Sequence, residues 1–578
     1  MCVLATLLLA GGCKKPRKTK SAENTTAYAG NLQVLVDTKK LPSLRWPNFS
    51  DYQAYVNQFY DDRNFEVAWT RDGSPTAQAR AFIEAFKDAD AKGLIPEDYD
   101  ASLWAGRVAK LHAADGQPNA DAISEFDVAM TVNAMRYISD LRMGRVNPSH
   151  FNFDIDVKEK KYDLAEFVSD RAVDAQSVPQ LIVSVEPDSE EYRKTEEALG
   201  RYIALAKLQA ASPELSQPVP MVTKGVGVGD DYTGISALVE RLRLEGDLPA
   251  AGDPVSPMPR VFDQALSEGV KHYQERHGIS ADGKLGPQTV KSLNVPLTGR
   301  VMQLADSLER WRWLPDEYLK GPLMVNVPEF VLHVYDTEHK PEFTIKVVVG
   351  QAKGEHDTPV FARMMRYVVF RPYWNVPISI VKKELMPHIS KSGLGYLASK
   401  NFEVTNTKGD VLTSYTTKQV AQGGVMVRER PGPKNSLGLV KFMFPNEYSI
   451  YMHSTPAMEL FARSRRDFSH GCVRLQKAED LAVWVLQNQK DKDGGDWDAD
   501  KVHDAMNEGP NNRTVGLKTP IPVVIFYATG WVQEDGTVSF FDDIYGYDSE
   551  LQKVLAKGPP YPVKPEPVVS KTKDDDTV

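Results

Sequence analysis

Phe468-Ser469-His470-Gly471-Cys472-Val473-Arg474-Leu475, with His453 nineteen residues before the cysteine, is the stretch around which the rest of the chain is organised. The sequence holds three cysteines, and two of them, Cys2 and Cys13, fall in an apolar N-terminal run that reads as an export signal. Cys472 is then the one thiol in the body of the protein. An exported protein rarely keeps an unpaired thiol inertly, because it invites oxidation and mixed disulfides. A thiolate is a strong nucleophile, and a histidine within hydrogen-bond reach generates one near neutral pH. Gly471 permits a backbone turn that a Cβ would obstruct. Such a turn can aim successive N–H groups at one point, as an oxyanion hole requires.

Further out, Tyr448-Ser449-Ile450-Tyr451-Met452-His453-Ser454 alternates and reads as a strand ending in a loop, with Tyr451 and His453 on one face. Arg474 lies two residues beyond the cysteine and in extended chain shares its face, where a guanidinium suits a substrate carboxylate. A lone buried cysteine is more often a small hydrophobe than a nucleophile. Here the export signal, the Ser-His-Gly setting and the second histidine favour reactivity. Zinc held by His453, His470 and Cys472 is the weaker alternative, since neither C-x-x-C nor H-E-x-x-H accompanies them.

His453 with Ser469-His470-Gly471-Cys472-Val473-Arg474 resembles the H…S/T-H-G-C-x-R/N signature of the L,D-transpeptidases, which have a YkuD-type catalytic domain. The likeness extends through Ile450-Tyr451-Met452-His453-Ser454-Thr455-Pro456 and Pro520-Ile521-Pro522-Val523-Val524-Ile525, and is nearest to the large multidomain members of Gram-negative bacteria.

At 578 residues the chain has room for three or four domains, each able to bury a core. A net charge of −9 gives no nucleic-acid signal. Residues 1–13 read as a lipoprotein-type signal, with Ala10-Gly11-Gly12 before an acylated Cys13. Ala10 stands where leucine is usual and no Lys or Arg precedes the apolar run, so a plain secretory signal stays open. Residues 14–31 form a basic linker. From 32 to 211 the pattern is helical, with Ala81, Ile83, Ala85 and Phe86 on a stripe of 77–91 and a second stripe over 125–142. Phe59-Tyr60, Ala68-Trp69-Thr70, Lys92-Gly93-Leu94 and Tyr99 resemble the scaffold domain of the large L,D-transpeptidases and carry no catalytic cluster.

Residues 231–295 contain Asp282-Gly283-Lys284-Leu285-Gly286-Pro287-Gln288-Thr289 after a helix, which resembles the three-helix peptidoglycan-binding domain. The same glycines and proline also suit a small helical domain held by a tight turn. The insertion 249–259 departs from the compact form. Residues 301–320 read as an amphipathic connector, its two tryptophans packing anchors. The catalytic domain spans 321–548, with strands over 323–335, 342–349, 364–370 and 440–444. The resemblance implies a lid at about 375–435, where the sequence reads as a helix at 380–386 and a polar segment at 390–417. The Pro-rich tail 559–578 reads as disordered. The expected fold is multidomain α+β: a helical N-terminal scaffold and three-helix binding module, followed by a mainly β, sandwich-like catalytic domain with a lid insertion.

The resemblance implies an envelope enzyme, on the periplasmic side, that cross-links peptidoglycan tetrapeptide stems as donor and acceptor. Cys472 is the expected nucleophile, His453 the proton donor and acceptor, and Gly471 the oxyanion turn. His470 orients the loop and Arg474 fixes a carboxylate; Tyr451, Trp374 and Ser469 are the expected substrate contacts. No metal, cofactor or nucleic acid is implied. Carbapenems are the implied inhibitors, and an acylated Cys13 would anchor the chain to the outer membrane. Hydrolysis by an L,D-carboxypeptidase, attachment of a protein lysine to peptidoglycan, and a non-catalytic wall-anchoring protein are the alternatives.

Overall fold

A computed structural model describes residues 25–249, 261–352, 356–491 and 494–563. The signal, most of the basic linker, the insertion from 250 and the tail from 564 lie outside the described residues. The chain divides into two units, one made of residues up to Phe86, Tyr99–Arg136 and Asp163–Leu181, the other of Lys87–Asp98, Tyr137–Tyr162 and everything from Ile182.

The first unit is helical and organised by one buried acid. Asp127 accepts hydrogen bonds from the Ala68 and Trp69 N–H groups at 2.8 Å and from the Tyr60 hydroxyl at 2.8 Å. The Trp69 indole donates to Thr131 at 2.9 Å. Burial pushes the Asp127 carboxyl up to about 6. The Tyr60 and Trp69 motif therefore packs the unit. In the helix Ala77–Lys87 the buried stripe is Ala79, Phe82, Ile83 and Phe86. Ala81 and Ala85 fall beside it, because i, i+3, i+4, i+7 starts at Ala79.

In the second unit, helices Ile235–Glu245, Gln264–Arg276 and Pro287–Leu293 close on a core that includes Leu238, Val270 and Val290. Buried Gln274 ties the motif together: its amide donates to Asp282, the Lys284 carbonyl and Thr289 at 2.9–3.1 Å and accepts from Gly283 N–H at 2.9 Å. The next helix, Leu297–Trp313, is not amphipathic over its last turns. Glu309, Arg310, Trp311, Arg312 and Trp313 are all buried. The charges find partners instead of water: Arg145 with Glu309 at 3.2 Å, Arg310 with Asp548 at 2.5 Å, and Arg312 with the Tyr192 hydroxyl at 2.9 Å.

The β-rich region is built from β1 (Leu323–Asn326), β2 (Val331–Tyr335), β3 (Pro341–Gly350), β4 (Phe361–Phe370), β5 (Val440–Met443), β6 (Met452–His453), β7 (Asp467–Ser469), β8 (Val473–Leu475) and β9 (Arg513–Phe526). Their order is β7-β3-β8-β6-β5-β4-β9-β1-β2, and β2 pairs with β3, so one sheet curls and closes on itself around the core. The two facing layers of the expected sandwich are thus two sides of a single sheet.

Between β4 and β5 the insertion is a folded cap. Trp374–Asn375, Phe402–Thr405 and Met426–Glu429 make a separate three-stranded sheet. Val381, Ile389, Leu397, Val404, Val420 and Val427 form its own apolar core. The 390–417 stretch, expected to be merely polar, supplies Leu397, Phe402 and Val404 to that core. Its spaced apolar residues are hidden in a polar background. The helical run 378–392 widens to a π turn at Val381–Leu385, where Pro387 withholds its N–H and crowds the carbonyl of Lys383.

Candidate active site

The cysteine loop is the link between β7 and β8. Gly471 adopts φ +113°; a Cβ there would meet Ile450 Cδ1 at 3.1 Å. Ser469 is buried, and its hydroxyl donates to the Cys472 carbonyl at 2.6 Å and accepts from Gly471 N–H at 3.1 Å. The Ser469 hydroxyl, at a position expected to contact substrate, thus clamps the loop, and the residue also lines the cavity over the cysteine. The same bond engages Gly471 N–H, one of the two donors expected for the oxyanion. Buried Thr358 holds the loop from below, donating to the Gly471 carbonyl at 2.7 Å while accepting from Gly350 N–H at 2.8 Å.

The expected strand 448–453 is regular only at Met452–His453. Asn446 gathers the preceding residues into a turn: its amide donates to the Phe444 and Ile450 carbonyls at 2.7 and 2.8 Å and accepts from Tyr448 and Ile450 N–H at 3.1 Å. Ser449 consequently sits at φ +57°, and its carbonyl lies 3.9 Å from Cys472 Sγ. Tyr451 still shares a face with His453, their ring centroids 5.7 Å apart.

His453 stands in a cross-strand row. Lys441 on β5 pairs with it on one side and Arg474 on β8 on the other. Directly opposed side chains lie on one face, so two cations flank one imidazole. His453 is buried and its Nδ1–H donates to the Ser454 carbonyl at 2.5 Å, which leaves Nε2 as the accepting nitrogen. Burial, and then the Arg474 charge, lower the His453 pKa to about 3, against the pull of the Ser454 and Leu437 carbonyls. Burial raises the Cys472 thiol above its ordinary value, while Tyr451, Arg474 and Lys441 pull it down. Both shifts favour a neutral thiol beside a neutral imidazole at rest. Low polarity penalises both members of a thiolate–imidazolium pair.

A cavity of about 1370 Å³ opens over these groups. Cys472, His453, Tyr451 and Arg474 line it from the sheet, Trp374 and Glu384 from the cap. His470 points to the cap: its Nε2 meets Glu384 Oε1 at 2.6 Å, and its ring lies edge-on to His356 at 5.0 Å. Lys383 Nζ is 3.5 Å from His356 Nε2. Sequence reasoning missed Lys441, Asn446 and Thr358. Alternation in Val440-Lys441-Phe442 sets Lys441 apart from the buried pair, yet only strand register brings it beside His453. Pro445-Asn446 is a turn signal, whereas nothing local marks Thr358.

Residues 322–525 match the L,D-transpeptidase catalytic domain family, 54–199 a family described as "Scaffold domain", and 233–293 one described as "Putative peptidoglycan binding domain". A Haemophilus influenzae protein named "Putative L,D-transpeptidase" is 28% identical over 281 residues, covering 47% of this chain and 54% of that protein. The chain thus spans about half the length of the curated relative it matches.

Proposed function

We propose that this chain, which carries an L,D-transpeptidase catalytic domain, forms direct diamino-acid cross-links between peptidoglycan stem peptides through a thioester on Cys472. The observation that carries the reading is the row Lys441–His453–Arg474 beside a lone thiol in a cap-covered cavity. Arg474, which lines the cavity, suits a carboxylate of a stem peptide. The donor carbonyl enters beside the thiol, His453 Nε2 takes the thiol proton as sulfur attacks, and Cys472 N–H faces the developing oxyanion. The carbon–nitrogen bond to the terminal D-residue breaks, and His453 returns the proton to the leaving amine. A side-chain amine of a second stem then displaces the thiolate. Water exclusion beneath the cap favours this transfer over hydrolysis. Trp374 lines the cavity as a substrate contact and His470 orients the loop towards the cap. The substrate places the enzyme at the envelope, and a strained β-lactam ring such as that of a carbapenem would be opened by the same thiol.

Incubation with tetrapeptide muropeptides, read by intact mass, tests the reading. Wild type should gain an acyl group on the peptide carrying Cys472 and release cross-linked product. Cys472→Ala should do neither while keeping its thermal transition, and cross-linking by that variant would overturn the assignment.

A further inference from the structure

A second hollow, of about 550 Å³, is lined by His150, Asp357, Tyr448, Tyr547, Glu550 and Lys553. It shares Tyr448 with the catalytic cavity, and Tyr448 belongs to the turn that presents the Ser449 carbonyl to the thiol. Asp357 touches the cysteine loop from its own side. The position a Cβ would take on Gly471 is 3.8 Å from the Asp357 carbonyl, and the next residue, Thr358, holds the Gly471 carbonyl at 2.7 Å. Asp357 Oδ1 is buried without a hydrogen-bond partner among the described residues. A buried carboxylate oxygen left so is costly and asks for an explanation. Burial, and then the nearby Asp467, push its carboxyl up to about 6, a stronger base than an ordinary carboxylate. Glu550 and Lys553 stand on the helix Tyr547–Leu555, one turn apart and reaching water, with Glu550 4.0 Å from His150. One hollow beside the nucleophile's loop thus presents acids and a lysine together, the complement of a group carrying an ammonium next to a carboxylate.

We propose that this hollow binds the acceptor: the free end of the second stem's diamino acid, its ammonium held by Asp357 and Glu550 and its carboxylate by Lys553. The inference rests on the transpeptidase reading above and names the substrate part that the reading leaves unplaced. The ammonium gives one proton to the Asp357 carboxylate, which later returns it to water. The amine attacks the thioester carbon; the carbon–nitrogen bond forms and the carbon–sulfur bond breaks. The second amine proton passes through His453 to the departing thiolate, so atoms and charges balance.

The test loads the full chain with a donor tetrapeptide and offers either a tripeptide ending in a diamino acid or its lysine counterpart, which lacks the second carboxylate. Acyl-enzyme is read by intact mass and products by chromatography. Asp357→Asn and Glu550→Gln should divert acyl-enzyme from transfer to hydrolysis, by about ten-fold and a few-fold respectively, as loss of one charge-assisted contact implies. Lys553→Gln should erase the preference for the diamino acid over lysine. Glu550 and Lys553 are surface positions, so their variants report on binding without disturbing the cysteine loop. Normal acylation with an unchanged transfer-to-hydrolysis ratio in Glu550→Gln and a retained acceptor preference in Lys553→Gln overturns the inference alone. Absence of acyl-enzyme in wild type overturns it together with the reading beneath it.

Discussion

The cysteine loop and the cap meet over one cavity, yet they are held in opposite ways. The loop is fixed by hydrogen bonds into its own turn and the sheet below: Ser469 to Gly471 and Cys472, Thr358 to Gly471, Asn446 to the turn beside it. The cap is fixed to itself, by its own sheet and apolar core. Its polar link to the loop is a half-exposed pair, Glu384 with His470, and Lys383 stands near His356 beside it. Chemistry at sulfur demands positions held to a fraction of an ångström. Access demands a body that moves without unfolding, which an independent core allows.

The largest effect should come from removing the base. His453→Ala should slow acyl-enzyme formation by roughly 10²–10⁴-fold, the range for a positioned acid–base group. An unaltered rate in stopped-flow mass measurements would remove His453 from the mechanism. Next is the turn itself. Gly471→Ala forces a Cβ onto a residue at φ +113° and against Ile450. Strain of about 1–3 kcal/mol should appear as a lower thermal transition and a loss of roughly ten-fold or more in acylation. A variant as active and stable as wild type would show that the loop is looser than its hydrogen bonds imply.

A smaller effect concerns the thiol. Because burial raises Cys472, its alkylation by iodoacetamide should be slow at neutral pH and climb through the alkaline range as the thiolate forms. Lys441 pulls the thiol down, so Lys441→Met should move that climb to higher pH. A profile identical to wild type would deny Lys441 any part in tuning the sulfur.

Legibility followed the range of the interactions. Cys472, His453, Gly471 and Arg474 could be picked out as one group because their spacing is short, or because a family shares their spelling. The three-helix module was readable for the same reason, its Asp-Gly turn and Gly-Pro helix start being local. Lys441 and Thr358 act through strand register and through a loop 113 residues away in sequence, which no local pattern reports. The clamp made by Ser469 could not be read because its hydroxyl turns inward to the backbone. The connector helix misled because buried arginines paired with distant acids look, in sequence, like a solvated face. The cap core was hidden because its apolar residues are spread over several short elements, none with a strong period of its own.

The smallest effect is the most discriminating for the cap. Excising 390–417 would remove Leu397, Phe402 and Val404 from the cap core and so unfold the cap rather than open it. Glu384→Gln leaves that core intact and removes one ion pair. Both partners are substantially exposed, 37% for His470 and 47% for Glu384, so the pair contributes at most about 1 kcal/mol to closure. Acylation should therefore change less than about three-fold, and the thermal transition hardly at all, since exposed pairs contribute little to stability. The thioester's lifetime against water is another matter. If closure excludes water, a loss of up to about 1 kcal/mol shifts the closed population by as much as about five-fold. The acyl-enzyme, followed by intact mass without acceptor, should then decay up to a few times faster. Equal lifetimes in wild type and Glu384→Gln would mean that the apolar body of the cap, rather than its link to His470, keeps water from the sulfur.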